Sequence, residues 1–240
     1  MNLFLISSAI HTRHGCFSAE QRLEQTIQTL ESIKKYAPDS RILLIESSAE
    51  QSITKEEAEK LHPLANSLLN LHDNEQIQAA YKIADQNWDV AKNYSEMLAI
   101  SHAIEFATRQ QPQHLKDVER VFKLSGRYYL NETFDLSQHI SEKECYVFAK
   151  RKQSQFPKNV TGGLSEQLMS RLWSFPASKI ALVFFRYNLM LEDFLGSLNQ
   201  HQYRDSEHLL LKYFSGPYLK EIDTIGVEGK LGPNGLIVRD

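Results

Sequence analysis

The chain has 240 residues, of which 42% are hydrophobic and 10% aromatic, a composition typical of a folded globular protein rather than a disordered one. Its 27 Lys and Arg residues against 30 Asp and Glu give a net charge of −3, which argues against binding to nucleic acid mainly through phosphate neutralisation. Two cysteines, Cys16 and Cys145, are too few for a disulfide framework or a zinc cluster, so we expect a reducing compartment. Without a secretory signal or a long apolar run, the sequence predicts a cytoplasmic protein with no transmembrane segment. Peripheral membrane contact and the oligomeric state stay open.

The amino-terminal part predicts a strand, a helix and a second strand. Residues 2–10 and 41–46 are apolar runs that suit buried strands. Apolar side chains recur between them at helical spacing, namely Leu23, Ile27, Leu30 and Ile33. Ser18 and Gln21 have the spacing of a capping box at the start of this helix. Together these elements predict a βαβ crossover and therefore a parallel sheet.

A less regular cycle follows. We predict a charged helix over residues 53–61, a short strand over 67–71 and a longer helix over 90–108. A strand over 145–149 is the predicted partner of the strand that begins at Val121.

Residues 121–130 combine the aromatic and β-branched content of a core strand with polar groups that a core does not need. Lys123, Ser125 and Arg127 carry hydrogen-bond donors, and Gly126 lets a ligand approach the backbone closely. A functional strand explains this pattern; the alternative is an edge strand whose alternate residues face water.

The second half changes character. Bulky apolar residues over 164–200 predict helices packed on the sheet rather than more parallel strands. Another helix is predicted over 205–213 with Asp205 as its N-cap, and the glycine-rich residues 225–235 suit a late hairpin or loop. The fold class is therefore α/β, with a mixed, mainly parallel central sheet flanked by helices.

Polar residues follow three of the predicted strands, at the edge where α/β sheets bind ligands. They are Ser7, Ser8, Thr12 and Arg13 after the first strand, Glu46, Ser47 and Ser48 after the second, and Ser125 with Arg127 in the third. Their coincidence at one edge predicts a site for a polar ligand.

Four segments carry a resemblance to a known family: residues 8–13 with the helix at 22–27, Lys92-Asn-Tyr-Ser-Glu96, Phe122-Lys-Leu-Ser-Gly-Arg-Tyr128 and Asp205-Ser-Glu-His208. In these the chain resembles GT-A-type, nucleotide-sugar-dependent glycosyltransferases, particularly bacterial enzymes of lipopolysaccharide and capsule synthesis. The resemblance implies one GT-A-like (Rossmann-like) domain, with a nucleotide-binding half over 1–130 and an acceptor-side half over 131–240. It also implies transfer of a sugar from a nucleotide-sugar donor to a saccharide or lipid-linked glycan acceptor.

The resemblance places the donor against residues from the three strand ends and the long helix. The implied set is Ser8, Thr12, Arg13, Glu46, Lys92, Asn93, Lys123, Ser125 and Gly126. Arg13 suits a diphosphate because a guanidinium forms charge-assisted hydrogen bonds with phosphate oxygens. The alternatives are a solvated loop arginine at position 13 and, for Lys92 and Asn93, an ordinary charged first turn of a helix.

The chain departs from the family pattern after the central strand. Enzymes of this fold commonly carry an Asp-X-Asp motif there that holds a divalent metal, whereas this chain has Ser125-Gly126-Arg127. We therefore expect that no metal is required and that Arg127 or Lys123 neutralises the leaving diphosphate. The nucleotide sugar is then a co-substrate, and a divalent metal is a possible cofactor that we do not expect to be required.

Catalysis and acceptor binding are implied for the second half. Glu207 is the preferred general base and Asp205 the second candidate, since Asp205 is the better helix cap; both also suit a purely structural role as first-turn acids. The acceptor side comprises Gly162 and Gly163 in a loop, Trp173 for stacking on a pyranose ring, and His208. Trp173 also lies in an apolar run, which favours a core position as its alternative.

Two other functions stay open from the sequence alone. A nucleotidyltransferase that makes an activated sugar shares the βα opening, although the segment Thr12-Arg-His-Gly15 has a single glycine where such enzymes carry a glycine-rich phosphate loop. A glycan- or nucleotide-binding protein of the same fold that has lost catalysis is the other alternative, and the missing Asp-X-Asp favours it.

Overall fold

A computed structural model describes residues 1–12, 15–83, 87–232 and 234–240. The strands are β1 (Asn2–Ser8), β2 (Ser40–Glu46), β3 (Ser67–Asn70), β4 (Arg120–Ser125), β5 (Tyr128–Leu130), β6 (Tyr146–Ala149), β7 (Lys152–Gln153), β8 (Glu166–Gln167), β9 (Leu172–Pro176), β10 (Leu219–Ile222), β11 (Val227–Lys230) and β12 (Ile237–Arg239). The helices are α1 (Ala19–Tyr36), α2 (Lys55–Leu61), α3 (Glu75–Ile83), α4 (Trp88–Glu105), α5 (Leu136–Ile140), α6 (Lys158–Thr161), α7 (Ile180–Asn199) and α8 (Ser206–Phe214).

The central sheet has seven strands in the order β10-β6-β9-β4-β1-β2-β3. Strands β1 to β4 are parallel to one another, and β6 is parallel to β10. Strand β9 pairs antiparallel with β4 on one side and β6 on the other, so it alone runs against the rest of this sheet. The prediction of a mixed, mainly parallel sheet flanked by helices is confirmed.

Alternate side chains of the buried strands serve two different cores, as the pleat of a strand requires. Leu3 and Leu5 of β1 pack with α3, α4, α7 and α8, whereas Phe4 and Ile6 pack with α1, α2 and the β5–β11 sheet. Phe4 stacks on Phe122 of the neighbouring β4 with ring centroids 4.5 Å apart. Both faces of β1 are thus covered, which is why its sequence is almost continuously apolar.

The predicted opening is confirmed: β1, α1 and β2 form a parallel crossover. The side chain of Ser18 accepts from the backbone of Gln21, whose side chain accepts from the backbone of Ser18. Asp205 caps α8 as predicted, and β11 with β12 forms the late hairpin. Helix α3 was not predicted, although Ile77, Ala80 and Tyr81 stand at the i, i+3, i+4 spacing of a helix.

The prediction of one strand over residues 121–130 is wrong. Strand β4 ends at Ser125, and the chain turns out of the sheet at Gly126 and Arg127 before β5 pairs with β11. The Gly126 amide donates to the Ser7 carbonyl at 2.7 Å, and a side chain at Gly126 would stand 3.0 Å from that oxygen. The polar residues in this segment therefore mark the end of a strand, where side chains meet a site.

Two predictions about the second half also need correction. The strand near residue 146 exists as β6, but it pairs with β9 and β10, since β9 separates it from β4. Residues 172–176 are this inserted strand and not part of a helix, whereas α7 confirms the helix further along. Leu172, Trp173 and Phe175 are all buried, and a short apolar run buried on both faces does not distinguish strand from helix.

No helix among the described residues is both long and apolar enough to cross a membrane.

Candidate functional site

A cleft opens at the carboxyl ends of β1, β2 and β4, between α1 on one side and α3 and α4 on the other. Its described lining consists of Ser7, Ser8, Ala9, Thr12, Gly15, Arg22, Thr26, Ser47, Tyr81, Trp88, Ala91, Lys92, Ser95, Glu96, Ser125, Gly126, Arg127 and Gly232. The cleft encloses about 110 Å³. Apart from Gly232, every one of these residues precedes residue 130.

The strand ends that form the cleft are joined through their backbones. The Ser8 carbonyl accepts from the Ser47 amide at 2.9 Å, which joins β1 to β2. The Thr26 hydroxyl on α1 lies 3.2 Å from the Ser8 hydroxyl and donates to the Gly126 carbonyl at 3.4 Å. These contacts fix the three strand ends and α1 relative to one another, so the small hydroxyl groups of the lining are held in place.

Glu96 on α4 anchors the floor of the cleft. Its Oε1 atom accepts from the hydroxyls of Ser7 and Ser125, at 3.0 and 3.1 Å, and from the Lys123 ammonium at 2.6 Å. Burial alone would raise the pKa of Glu96, but the charges of Lys123 and Lys92 lower it to about 2. Glu96 is therefore an ionised carboxylate at neutral pH, and it is the one carboxylate in the described lining.

Lys123 is the partner below that floor. Its ammonium donates to Glu96, to the Ser125 hydroxyl at 2.6 Å and to the Ser170 carbonyl at 2.7 Å. With only 2% of its side chain exposed, it lies beneath the cleft rather than in its lining. Lys123 was predicted to contact the donor; the structure places its three donor positions on protein acceptors.

Lys92 on α4 and Arg127, which follows β4, both line the cleft. Within the described part of the chain, neither side chain makes a hydrogen bond or ion pair, and Arg127 lies over the Tyr128 ring at 5.8 Å. Arg22 adds a third cation: burial first, and then the charge of Arg127, lower its pKa to about 10. Three cations against Glu96 make the described lining electropositive, as an anionic ligand requires.

The predicted donor residues divide into two groups. Five of them line the cleft together, namely Ser8, Thr12, Lys92, Ser125 and Gly126, and Arg127, predicted to neutralise the diphosphate, lines it with them. Glu46 does not, because its Oε1 atom accepts from the amides of Ile10 and Ser48 and from the Ser48 hydroxyl, and burial raises its pKa. It holds the loop that follows β1. Arg13 lies outside the described residues.

Asn93 was also predicted to bind the donor, yet it lies on the far side of α4 and is 3% exposed. Its amide nitrogen donates to the Asp89 carbonyl and to the Tyr203 hydroxyl, each at 2.9 Å, and its oxygen accepts from the Ser206 hydroxyl at 2.8 Å. Because these bonds occupy both ends of the amide, Asn93 joins α4 to the start of α8.

The predicted catalytic acids sit at the start of α8, outside the cleft lining. Asp205 caps the helix, since its Oδ1 atom accepts from the amides of Glu207 and His208, both at 3.0 Å. Glu207 accepts from the Ser170 hydroxyl at 3.1 Å and from the Gln167 amide at 3.1 Å. Burial, and then the charge of Asp205, raise the pKa of Glu207. A raised pKa suits a general base, and that role for Glu207 stays a prediction.

The predicted acceptor residues are not gathered at the cleft. His208 is fully buried, with Nδ1 at 2.7 Å from Asp205 and Nε2 at 2.8 Å from the Ser154 hydroxyl. Gly162 ends α6 in the left-handed conformation, where a side chain would collide with Arg204 and Gln202. Gly163 follows with open space around it. None of these three lines the cleft.

Trp173 is a core residue with no exposed ring face on which a sugar could stack. It has no exposed surface, lies parallel to Phe148 with ring centroids 4.8 Å apart, and contacts the edge of Phe214 at 5.1 Å. The alternative of a core position therefore holds, and the prediction of a sugar-stacking tryptophan is corrected.

Sequence reasoning missed several residues of the lining. Arg22 and Thr26 lie one turn apart on the buried face of α1, so polar residues among its apolar positions were the available signal. Tyr81 belongs to the unpredicted α3 and donates to the Ser47 carbonyl at 3.0 Å. Trp88 begins α4 and is 37% exposed at the cleft, where its position in sequence gave no indication of a role.

Comparison with known proteins shows which folds this architecture is similar to. No family model matches the chain, and no curated protein matches it in sequence. Solved structures do match: core-mannan synthase A from Aspergillus fumigatus in its Mn/GDP form has 11% identity and a TM-score of 0.50, with 98% of this chain and 77% of that chain covered. Mouse xyloside xylosyltransferase 1 has 10% identity and a TM-score of 0.50, over 92% of this chain and 85% of the other.

The galactosyltransferase LgtC, solved with donor and acceptor sugar analogues, matches with 9% identity and a TM-score of 0.53, over 92% of this chain and 73% of that chain. At such identities the likeness is one of fold. The chain is thus a single GT-A-like domain, as its sequence predicts.

The described residues do not fit the divalent metal that this fold commonly holds. No group of three or more His, Cys, Asp or Glu among them is arranged to bind a metal ion. Glu96, the one carboxylate of the described lining, is already paired with the Lys123 ammonium. Because the donor set lacks a carboxylate cluster, we derive no catalytic step through a metal.

Proposed function

We propose that the protein is a glycosyltransferase that binds a nucleotide-sugar donor in the cleft and transfers the sugar to a saccharide or lipid-linked glycan. The observation that carries this proposal is the pair Lys92 and Arg127, two cations that line the same cleft at the carboxyl edge of a GT-A-like sheet. A diphosphate is the ligand that such a pair fits, since each cation offers charge-assisted hydrogen bonds to phosphate oxygens.

The same two cations supply the chemistry. In the transfer, an acceptor hydroxyl oxygen forms a bond to the anomeric carbon while the bond from that carbon to the diphosphate oxygen breaks. The nucleoside diphosphate leaves with the bonding electrons, and the acceptor proton passes to solvent in the net reaction. Lys92 and Arg127 stabilise the negative charge that develops on the leaving oxygen, which is the role that the family's metal otherwise fills.

Glu96 contributes charge of the opposite sign. Since its pKa is about 2, it cannot take up the acceptor proton near neutral pH. We assign it to electrostatic stabilisation of the positive charge at the anomeric carbon, because glycosyl transfer passes through an oxocarbenium-like transition state.

The cleft volume of about 110 Å³ is below the roughly 300–1,000 Å³ of small-molecule pockets, so a bound nucleotide sugar extends beyond the enclosed space. Tyr81 and Trp88 offer aromatic surface beside the cations, and we place the nucleoside there. Placement in bacterial surface-polysaccharide synthesis belongs to this proposal and rests on the sequence resemblance, whereas placement in the cytoplasm rests on the cysteine content and the amino-terminal sequence.

Thermal unfolding in the presence of nucleoside diphosphates and nucleotide sugars tests the donor site, because a ligand that binds the folded state raises the melting temperature. We expect at least one nucleotide series to stabilise the protein in excess chelator, and Arg127→Ala and Lys92→Ala each to reduce that shift. Lys55→Ala is the matched control, since Lys55 lies on α2 with 92% of its side chain exposed. Absence of stabilisation by every nucleotide, with or without manganese, would contradict the proposal.

A further inference from the structure

A second cavity adjoins the cleft and has a different chemistry. It lies between the outer face of α1 and the sheet formed by β5 and β11, and it encloses about 480 Å³, within the range of small-molecule pockets. Arg127 lines both this cavity and the cleft, so the two spaces meet at that residue. We call this second cavity the α1 groove.

One wall of the α1 groove is a row of amides. Gln21, Gln25 and Gln28 are spaced four and three residues apart, which places them on one face of α1 over a length of about 10 Å. Gln21 and Gln28 are exposed, and Gln25 is half-buried. An amide offers both donors and acceptors, and hydroxyl groups of a ligand satisfy both.

The opposite wall is formed by β11 and its neighbours. Gly229 is required there, because a side chain at this position would stand 2.3 Å from the Arg127 carbonyl and push β11 away. Glu228 accepts from the Tyr129 hydroxyl at 2.5 Å, which directs that ring along the wall. Phe17 and Ile237 add apolar surface, and Ile237 is 67% exposed.

The α1 groove and the cleft differ in the charge of their linings. The described lining of the α1 groove has three carboxylates, from Glu20, Glu24 and Glu228, against the cations Arg127 and Lys230. The cleft has three cations against Glu96. A phosphorylated or acidic ligand is therefore favoured in the cleft and disfavoured in the groove.

We propose that the α1 groove binds the acceptor and that the acceptor is a neutral oligosaccharide. Amides, carboxylates and a hydroxyl satisfy sugar hydroxyls, and the apolar side chains cover the less polar faces of the rings. Arg127, at the junction, brings the donor diphosphate next to the acceptor. This proposal rests on the glycosyltransferase function and moves the acceptor from the Gly162 loop to the other side of the domain.

Saturation-transfer NMR tests the groove directly with neutral oligosaccharides of glucose, galactose and mannose, each in the presence of a stabilising nucleoside diphosphate. We expect at least one series to bind, and Gln25→Ala with Gln28→Ala together to weaken it about tenfold, the cost of about one net hydrogen bond. Glu31→Ala is the matched control, because Glu31 is exposed on α1 outside the groove.

The other outcomes overturn the proposal. If no neutral oligosaccharide binds, the groove is not a site for such ligands. The same conclusion follows if an oligosaccharide binds and the double variant binds it equally well. Preferential binding of acidic oligosaccharides contradicts the charge argument. If the double variant loses affinity for the nucleotide and keeps its affinity for the saccharide, the groove is part of the donor site. Nucleotide stabilisation of the unmodified protein is recorded in the same samples, so failure of the donor site is distinguished from failure of the groove.

Discussion

The Lys123 ammonium lies 2.6 Å from Oε1 of Glu96, with Lys123 buried beneath the cleft and Glu96 partly exposed in its lining. One partner comes from the central strand β4 and the other from helix α4. The pair explains why a lysine occurs between the apolar residues Phe122 and Leu124 of β4: it fixes the carboxylate that the cleft presents. Ser7 and Ser125 complete this arrangement by donating to the same oxygen atom.

A double-mutant cycle measures this coupling. We expect Glu96→Gln to lower the free energy of unfolding by about 3–5 kcal/mol, because it leaves the Lys123 charge buried without its partner. Adding Lys123→Met to that variant removes the stranded charge and should restore part of the loss. Urea unfolding of the four proteins gives the coupling energy. Additive effects of the two substitutions would show that the pair is not coupled.

The stability should also depend on pH through Glu96. Its pKa in the folded protein is about 2, below the value of about 4.3 in an unfolded chain. A lowered pKa stabilises the folded state above pH 4.3, and that contribution declines as pH falls toward 2. The difference in unfolding free energy between the unmodified protein and Glu96→Gln should therefore be constant above about pH 5 and shrink by about 2–3 kcal/mol at lower pH. A difference that does not change between pH 3 and 7 would contradict the assignment.

Substitution of the two carboxylates separates their roles in turnover. Glu96→Gln removes a charge that faces the cleft, so we expect kcat to fall by about 100-fold or more. Glu207→Gln keeps an oxygen that can accept from Ser170, so we expect a smaller loss, of about tenfold. If Glu207→Gln instead abolishes turnover while nucleotide binding persists, Glu207 is the general base that its raised pKa suits.

Gly232 provides a test of Arg127 that keeps the arginine in the sequence but moves its guanidinium. A Cβ atom at Gly232 would stand 2.3 Å from Nη1 of Arg127, and the flexible end of that side chain can move aside. We expect Gly232→Ala to weaken nucleotide binding about tenfold with little change in melting temperature, because Arg127 is displaced from the diphosphate. Gly196→Ala is the control, since a side chain at Gly196 meets only open space. Equal nucleotide affinity in both variants would exclude Arg127 as a diphosphate ligand in the observed position.

Trp173→Ala tests whether Trp173 is a core residue rather than an acceptor-binding residue. Since the indole is fully buried between aromatic rings, its removal should cost about 3–5 kcal/mol of stability. The expected result is a large fall in melting temperature. A variant of unchanged stability with a raised KM for the acceptor would support the original stacking role.

Much of the fold follows from the sequence, because the apolar periods of β1, α1 and β2 and the caps at Ser18 and Asp205 are local signals. Insertion of β9 between β4 and β6 could not be predicted, since strand order depends on packing between distant segments. The cleft was predicted only in part, because some of its residues are also brought together by packing between distant segments. Residues that follow a strand, such as Ser8 and Ser125, were found, whereas Trp88 reaches the cleft only through the placement of its helix.

Prediction from polar character alone also assigned too many residues to the site. Asn93 and His208 have the chemistry of ligand-binding residues, but their polar atoms are satisfied within the protein. Burial and hydrogen-bond partners distinguish such residues from Lys92 and Arg127, and neither property can be obtained from a single sequence.

The most direct measurement is the release of product from a panel of nucleotide sugars mixed with neutral oligosaccharides, in excess chelator, with Arg127→Ala as comparison. The account predicts a nucleoside diphosphate and an elongated saccharide in equal amounts, with turnover in chelator and a loss of at least tenfold in the variant. Release of pyrophosphate from nucleoside triphosphate and sugar phosphate would instead identify a nucleotidyltransferase. Nucleotide binding without turnover of any donor, with or without manganese, would contradict the account and indicate a binding protein.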